Sequence, residues 1–229
     1  MDSSKGIART AGWLYLVVIA TGIVSLGIVP SLLSGHGDAL VTVDHIAASR
    51  MLFRWGVLCE LIQYAVFVLV PFVLYRLLHQ VDGTMAVLMV ALAVFGMALS
   101  LAAVGHKLDI LSLLDNDAVG KLLSADQLNA QLMLGLDAYD NRILIAKIFW
   151  GLWLFPFGYL VFRCGFLPRI LGILLMAGCF SYLIDFFGNM LFSGYADTRF
   201  AGLVMLPANI GELGIGLWLL IVGRTITRA

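Results

Sequence analysis

The stretch Asn141–Asn189, NRILIAKIFWGLWLFPFGYLVFRCGFLPRILGILLMAGCFSYLIDFFGN, decides the fold class. It contains two apolar runs, each about the 20 residues a helix needs to cross a bilayer. They meet at a basic elbow that carries Arg163, Gly165, Pro168 and Arg169. Each run also holds one charge, Lys147 in the first and Asp185 in the second. An ionisable group inside a spanning helix is costly, so each such residue is a candidate for pairing or for a site.

The whole chain shares this character. Of 229 residues, 62% are hydrophobic and 12% charged, with a mean hydropathy of +1.01. Soluble domains carry about a quarter charged residues, so this chain has too little polar surface to cover a water-facing globule, and lipid must be its solvent. The formal net charge is zero and there is no basic tail, so nothing draws it to nucleic acid. Cys59, Cys164 and Cys179 lie in or at the ends of apolar runs without CxxC spacing. They read as packing residues, with neither a disulfide framework nor a zinc ribbon indicated.

Working outward, the composition predicts one all-α domain over 1–229, a polytopic transmembrane helix bundle of six spans. The spans fall at about 11–33, 53–78, 85–104, 142–162, 167–192 and 202–222. The first follows Lys5 and Arg9 but is longer than a signal-peptide core and reads as a retained span. A short interfacial helix is expected at about 42–50, with Thr42 at its N-cap. An extramembrane helix is expected at about 125–140, opened by the capping-box spacing of Ser124 and Gln127. Pro71 and Pro156 are expected to kink their spans. The third span's tail, with His106, Lys107 and Asp109, is expected to leave the hydrocarbon. Trp13, Trp55, Trp150, Trp153 and Trp218 read as interfacial anchors, and Arg50 and Arg54 as contacts to lipid headgroups.

An even number of spans puts both termini on one side. That side carries Lys5, Arg9, Arg76, Arg163, Arg169, Arg224 and Arg228, against six basic residues and nine aspartates on the other, which include Lys121, Asp38 and Asp117. Concentration of the basic residues in short loops and tails places both termini in the cytoplasm.

The segment Phe149–Phe187, FWGLWLFPFGYLVFRCGFLPRILGILLMAGCFSYLIDFF, resembles the DUF4386 family of bacterial membrane proteins. So do ARTAGWLYLVVIATGI near the start, LFRWGVLCELI at Leu52–Ile62 and GELGIGLWLLIVG at Gly211–Gly223. The resemblance covers essentially the whole chain. It implies a bacterial multi-pass membrane protein, here expected in the inner membrane, and carries no catalytic residues or function with it.

The candidate site comes from the residues. At about 1.5 Å per residue, Lys147 lies roughly 6 Å from the outer end of its span, Glu60 and Asp185 roughly 10 Å and Glu212 roughly 15 Å. His106 and Asp109 sit near the mouth. Ser181, Asp185 and Asn189 form a polar stripe with a four-residue period, and Glu60, Gln63 and Tyr64 share a face. Glu60, Lys147, Asp185, Asn189 and Glu212, with His106 and Asp109 at the entrance, are therefore the expected outward-half polar site. Three carboxylates against one lysine leave excess negative charge and point to binding or transport of a small molecule or cation. Two alternatives stand beside this reading. One is a ligand-free structural or regulatory partner subunit, in which Lys147 only neutralises carboxylates. The other is a metal-dependent intramembrane hydrolase using His106 and Asp109, though the four histidines are scattered and HExxH and GxSxG are absent. No catalytic residue or cofactor is indicated. The expected partners are the lipid bilayer and the ligand, with a protein partner or second copy also open.

Overall fold

The computed structural model describes residues 2–35, 38–116 and 122–222, with side chains over 5–35, 38–116 and 122–221. Asp117, Lys121, Arg224 and Arg228, which entered the charge reading above, and one of the four histidines, His36, lie outside this range. Among the described residues every element is helical. Within them, six helices are long and apolar enough to cross a membrane: Lys5–Leu33, Arg50–Leu78, Gly83–Asp115, Ala125–Arg163, Arg169–Leu191 and Arg199–Ile221. The protein is an all-α, multi-pass membrane protein, a bundle of six spanning helices.

In finer detail the first span is α1 (Asp2–Gly22), a π-helical turn (Ile23–Ile28) and α2 (Val29–Leu33). Pro30 has no N–H to offer the carbonyl four residues back. The chain widens before it, and the Val29 N–H reaches five residues back to the Val24 carbonyl. Helix α3 (Ala39–Ala48) begins one turn before the expected interfacial helix. Its N-cap is Asp38, which accepts from the N–H groups of Leu40 at 2.9 Å and Val41 at 3.3 Å. Thr42, expected as the cap, instead uses Oγ1 to accept from the Gly35 N–H at 2.8 Å.

Helix α4 (Arg50–Leu78) runs unbroken past Pro71, and α5 (Gly83–Asp115) is 33 residues long. At 1.5 Å per residue α5 measures about 50 Å, well beyond the ~30 Å of hydrocarbon. Arg50 donates to the Leu114 carbonyl and Arg54 pairs with Asp115, so both arginines bind the C-terminal end of α5. Cations suit a helix C-terminus, and the expected headgroup role gives way to this one.

The fourth span is α6 (Ala125–Leu152) and α7 (Leu154–Arg163), interrupted at Trp153 just before Pro156. The capping box at its start is present: Ser124 N–H donates to Gln127 Oε1 at 2.9 Å, and Gln127 N–H to Ser124 Oγ at 3.2 Å. Then follow α8 (Arg169–Leu191), a short turn (Tyr195–Asp197), α9 (Arg199–Val204) and α10 (Leu206–Val222).

Packing divides the chain into two compact units. The first comprises the described residues of Met1–Val17, Val66–Ala98 and Leu144–Ala229, the second Val18–Ala65 and Leu99–Ile143. In the first unit, α8 packs mainly on α7 and α10. A Cβ on Gly158 would lie 2.6 Å from the Gly172 carbonyl oxygen, and one on Gly172 2.7 Å from that of Gly158, so the α7–α8 hairpin is a contact of backbone on backbone. At its elbow Gly165 has φ 75°, and Arg163 and Arg169 lie over the rings of Tyr159 and Phe162. Burial pushes the Cys164 thiol above its ordinary range, in keeping with a packing cysteine. The core of this unit is an aromatic ladder, Tyr15–Phe67–Trp153–Phe157. Trp153 is 2% exposed and is a core residue, not the interfacial anchor expected from sequence. Trp13 and Trp55 are exposed, as an anchor must be.

Candidate functional site

The polar centre of the second unit is Glu60, on α4 and 0% exposed. Its carboxylate is surrounded by donors. Lys107 Nζ on α5 bonds Oε2 at 2.6 Å. Tyr64, one turn along α4, donates to Oε1 at 3.1 Å, and Tyr139 from α6 donates to the same oxygen. The Lys107 ammonium also lies 3.7 Å from the centre of the Tyr139 ring, a cation–π contact strengthened by desolvation. Nearby, Ser25 in the π turn donates to Gln63 Oε1 at 2.9 Å.

Beside this cluster is a cavity of about 400 Å³. The π turn and α2 form one wall through Ser25, Leu26 and Val29, α3 and α4 form another, and Lys107, Leu136 and Tyr139 close it from α5 and α6. Most of the lining is apolar, with Ser25, Thr42, Lys107, Tyr139 and Asp140 as its polar points. Gly56 sets the spacing of two walls, since a Cβ there would lie 2.8 Å from Val29 Cγ1.

The first unit has its own polar groups. Lys147 Nζ on α6 bonds Asp185 Oδ2 on α8 at 2.8 Å. Asn189 turns back to donate to the Asp185 carbonyl at 2.8 Å. Glu212 on α10 accepts a hydrogen bond from Tyr182 of α8.

The seven residues singled out from sequence are thus divided. Glu60, His106 and Asp109 belong to the second unit, and Lys147, Asp185, Asn189 and Glu212 to the first. Lys147 is paired with Asp185, and the lysine on Glu60 is Lys107. His106 Nδ1 lies 3.7 Å from Asp109, whose side chain is 76% exposed. Among the described residues no three His, Cys, Asp or Glu side chains converge as metal ligands would.

Sequence reasoning missed Lys107 and Tyr139. Lys107 was read only as part of a tail leaving the hydrocarbon; α5 runs on as helix to Asp115, and there Lys107 is buried against neighbouring helices. Tyr139 had a readable clue: Leu132, Tyr139, Ile143 and Ala146 are all buried and recur at the spacing of one helix face.

A family model described as a domain of unknown function, DUF4386, matches residues 10–223 of the chain. An uncharacterized protein of Archaeoglobus fulgidus is 33% identical over 92 residues, 40% of this chain and 52% of the relative. The chain therefore spans about half the length of that curated relative. No solved structure matches the chain.

Proposed function

The chain belongs to the DUF4386 family of domains of unknown function, and we propose from its own geometry that it binds a small molecule in the cavity of the second unit, for transport or sensing. The observation that carries this reading is a cavity of about 400 Å³ with a buried lysine at its polar end. Ligand sites commonly have volumes of about 300–1,000 Å³, mostly apolar walls and a few convergent polar groups. Lys107 has three N–H donors; Glu60 takes one, and a ligand acceptor beside Tyr139 suits another. Leu26, Val29 and Leu136 offer an apolar body its contacts. The π turn supports the same reading, because such turns occur often at functional sites. It keeps Ser25 on the cavity wall.

The basic bias of the short loops supports an orientation with both termini cytoplasmic, and helical rather than barrel spans suit a cell inner membrane. That orientation puts the Arg50 end of α4, and with it the cavity, on the outer side.

A second reading has its own support. Glu60 is fully satisfied by Lys107, Tyr64 and Tyr139, as it would be in a network that only locks helices together. Native mass spectrometry of the gently extracted protein separates the two, with wild type beside Leu136→Trp, which fills the cavity and leaves the ion pair intact. Binding predicts one small-molecule adduct on wild type that is absent from the folded variant. A bare wild-type mass, or the same adduct on both, rejects the cavity as a binding site and leaves the packing network.

A further inference from the structure

We propose that Glu212, Tyr182 and Tyr15 of the first unit form a second site, which holds one monovalent cation, either a proton or an alkali-metal ion.

The inference begins with charge. Lys147 is committed to Asp185 at 2.8 Å, and among the described residues Glu212 takes part in no ion pair. It lies within α10, on a span whose other groups are almost all apolar. Among the described residues, these groups act on it or on its partners. From α8 come Tyr182, which donates a hydrogen bond to it, and Asp185, which acts on Tyr182 in turn. From α1 comes Tyr15, and from α6 Lys147, through Asp185. Two carboxylates and one ammonium leave one negative charge without a counterpart. A carboxylate offers about four lone-pair positions, and one hydroxyl donor leaves most of them open.

The second observation is a buried hydroxyl. Tyr15 is 1% exposed, its hydroxyl has no hydrogen-bond partner, and it interacts electrostatically with both Glu212 and Tyr182. A buried hydroxyl left without a partner costs free energy. A cation on Glu212 gives that oxygen something to coordinate, or a protonated carboxyl gives it something to bond.

The backbone is built to bring these groups close. A Cβ on Gly151 would lie 2.7 Å from Tyr182 Cβ, so the glycine seats that tyrosine. One turn before Tyr15, a Cβ on Gly12 would lie 2.7 Å from the Leu220 backbone nitrogen, which brings α1 onto α10. Gly211 approaches the Leu174 backbone of α8, with its added Cβ at 3.2 Å. Small residues at such crossings let helices approach closely in lipid. A divalent metal fits poorly. The excess is a single charge, and no third metal-ligating side chain converges there among the described residues.

The test is infrared difference spectroscopy on the full chain in lipid vesicles. One arm steps pH at constant sodium, and the other exchanges sodium for choline at constant pH. The expected result is a carboxyl difference band in wild type that is missing from Glu212→Gln. A band that follows pH alone identifies a proton, and one that follows sodium at fixed pH identifies an alkali-metal ion. Tyr15→Phe supplies the control that folds regardless, since its hydroxyl bonds nothing in the protein. It is expected to keep its thermal stability while its half-saturation point shifts about fivefold, the effect of one neutral hydrogen bond. A wild type without the band, or a Tyr15→Phe variant that titrates identically, overturns the proposal.

Discussion

At the scale of single residues, the decisive fact is which lysine meets which carboxylate. Glu60 is entirely buried and its only cationic partner among the described residues is Lys107. Breaking a buried pair by removing one member leaves an uncompensated charge and costs about 3–5 kcal/mol. Lys107→Met should therefore destabilise the protein by about that amount, measured by unfolding in mixed micelles titrated with SDS. Adding Glu60→Gln to the same chain should recover most of the loss, because the tyrosine hydroxyls can still bond a neutral amide. If the double variant is as unstable as the single one, Lys107 acts through packing against Tyr139 instead of through charge. That Glu60 interrupts an apolar span was legible in the sequence. The partner was not, because Lys107 lies 47 residues away on a helix whose length past the hydrocarbon only packing could justify.

At the scale of elements, the α7–α8 hairpin shows how a sequence cue becomes a contact. The elbow Arg163–Arg169 was readable as a turn, and Gly165 at φ 75° is the residue that allows it. The hairpin is held by Gly158 and Gly172, whose backbones touch. A methyl at either position would force the helices apart, so Gly158→Ala and Gly172→Ala should each cost about 1–3 kcal/mol, the range for overpacking a tight contact. Gly6, where an added Cβ meets nothing within 4 Å, provides the control, and Gly6→Ala should be neutral or slightly stabilising. The same denaturant titration reads all three variants, and equal midpoints would show that the hairpin tolerates separation. The π turn was invisible to periodicity, since a single widened turn before Pro30 leaves the apolar pattern of the span unchanged.

At the scale of the whole molecule, six spans and the loop charges yield a directional expectation. A green fluorescent protein fused after Ala229 should fluoresce. Alkaline phosphatase inserted at the Asp82–Gly83 turn should be silent, and at Ser124 active. The reversed pattern would invert the orientation and turn the cavity inward. This outcome is independent of whether the cavity binds anything, because topology follows the basic residues of the loops and binding follows the side chains of the bundle.

From composition and pattern alone it follows that lipid is the solvent, that six helices are long enough to span it, and that Glu60, Lys147, Asp185 and Glu212 fall within apolar runs where a charge is costly. Those facts follow from composition and from a rise of 1.5 Å per residue, which are local properties. Tertiary structure alone decided that Glu60 belongs with Lys107 and Tyr139, that Asp185 takes Lys147, that Trp153 is core, and that a cavity opens beside the π turn. In water an amphipathic stripe would have shown which face of each helix points inward. In lipid both faces are apolar, so the rotation of each helix about its axis is set by close packing and by the few polar partners it finds. Those partners lie dozens of residues apart in the chain.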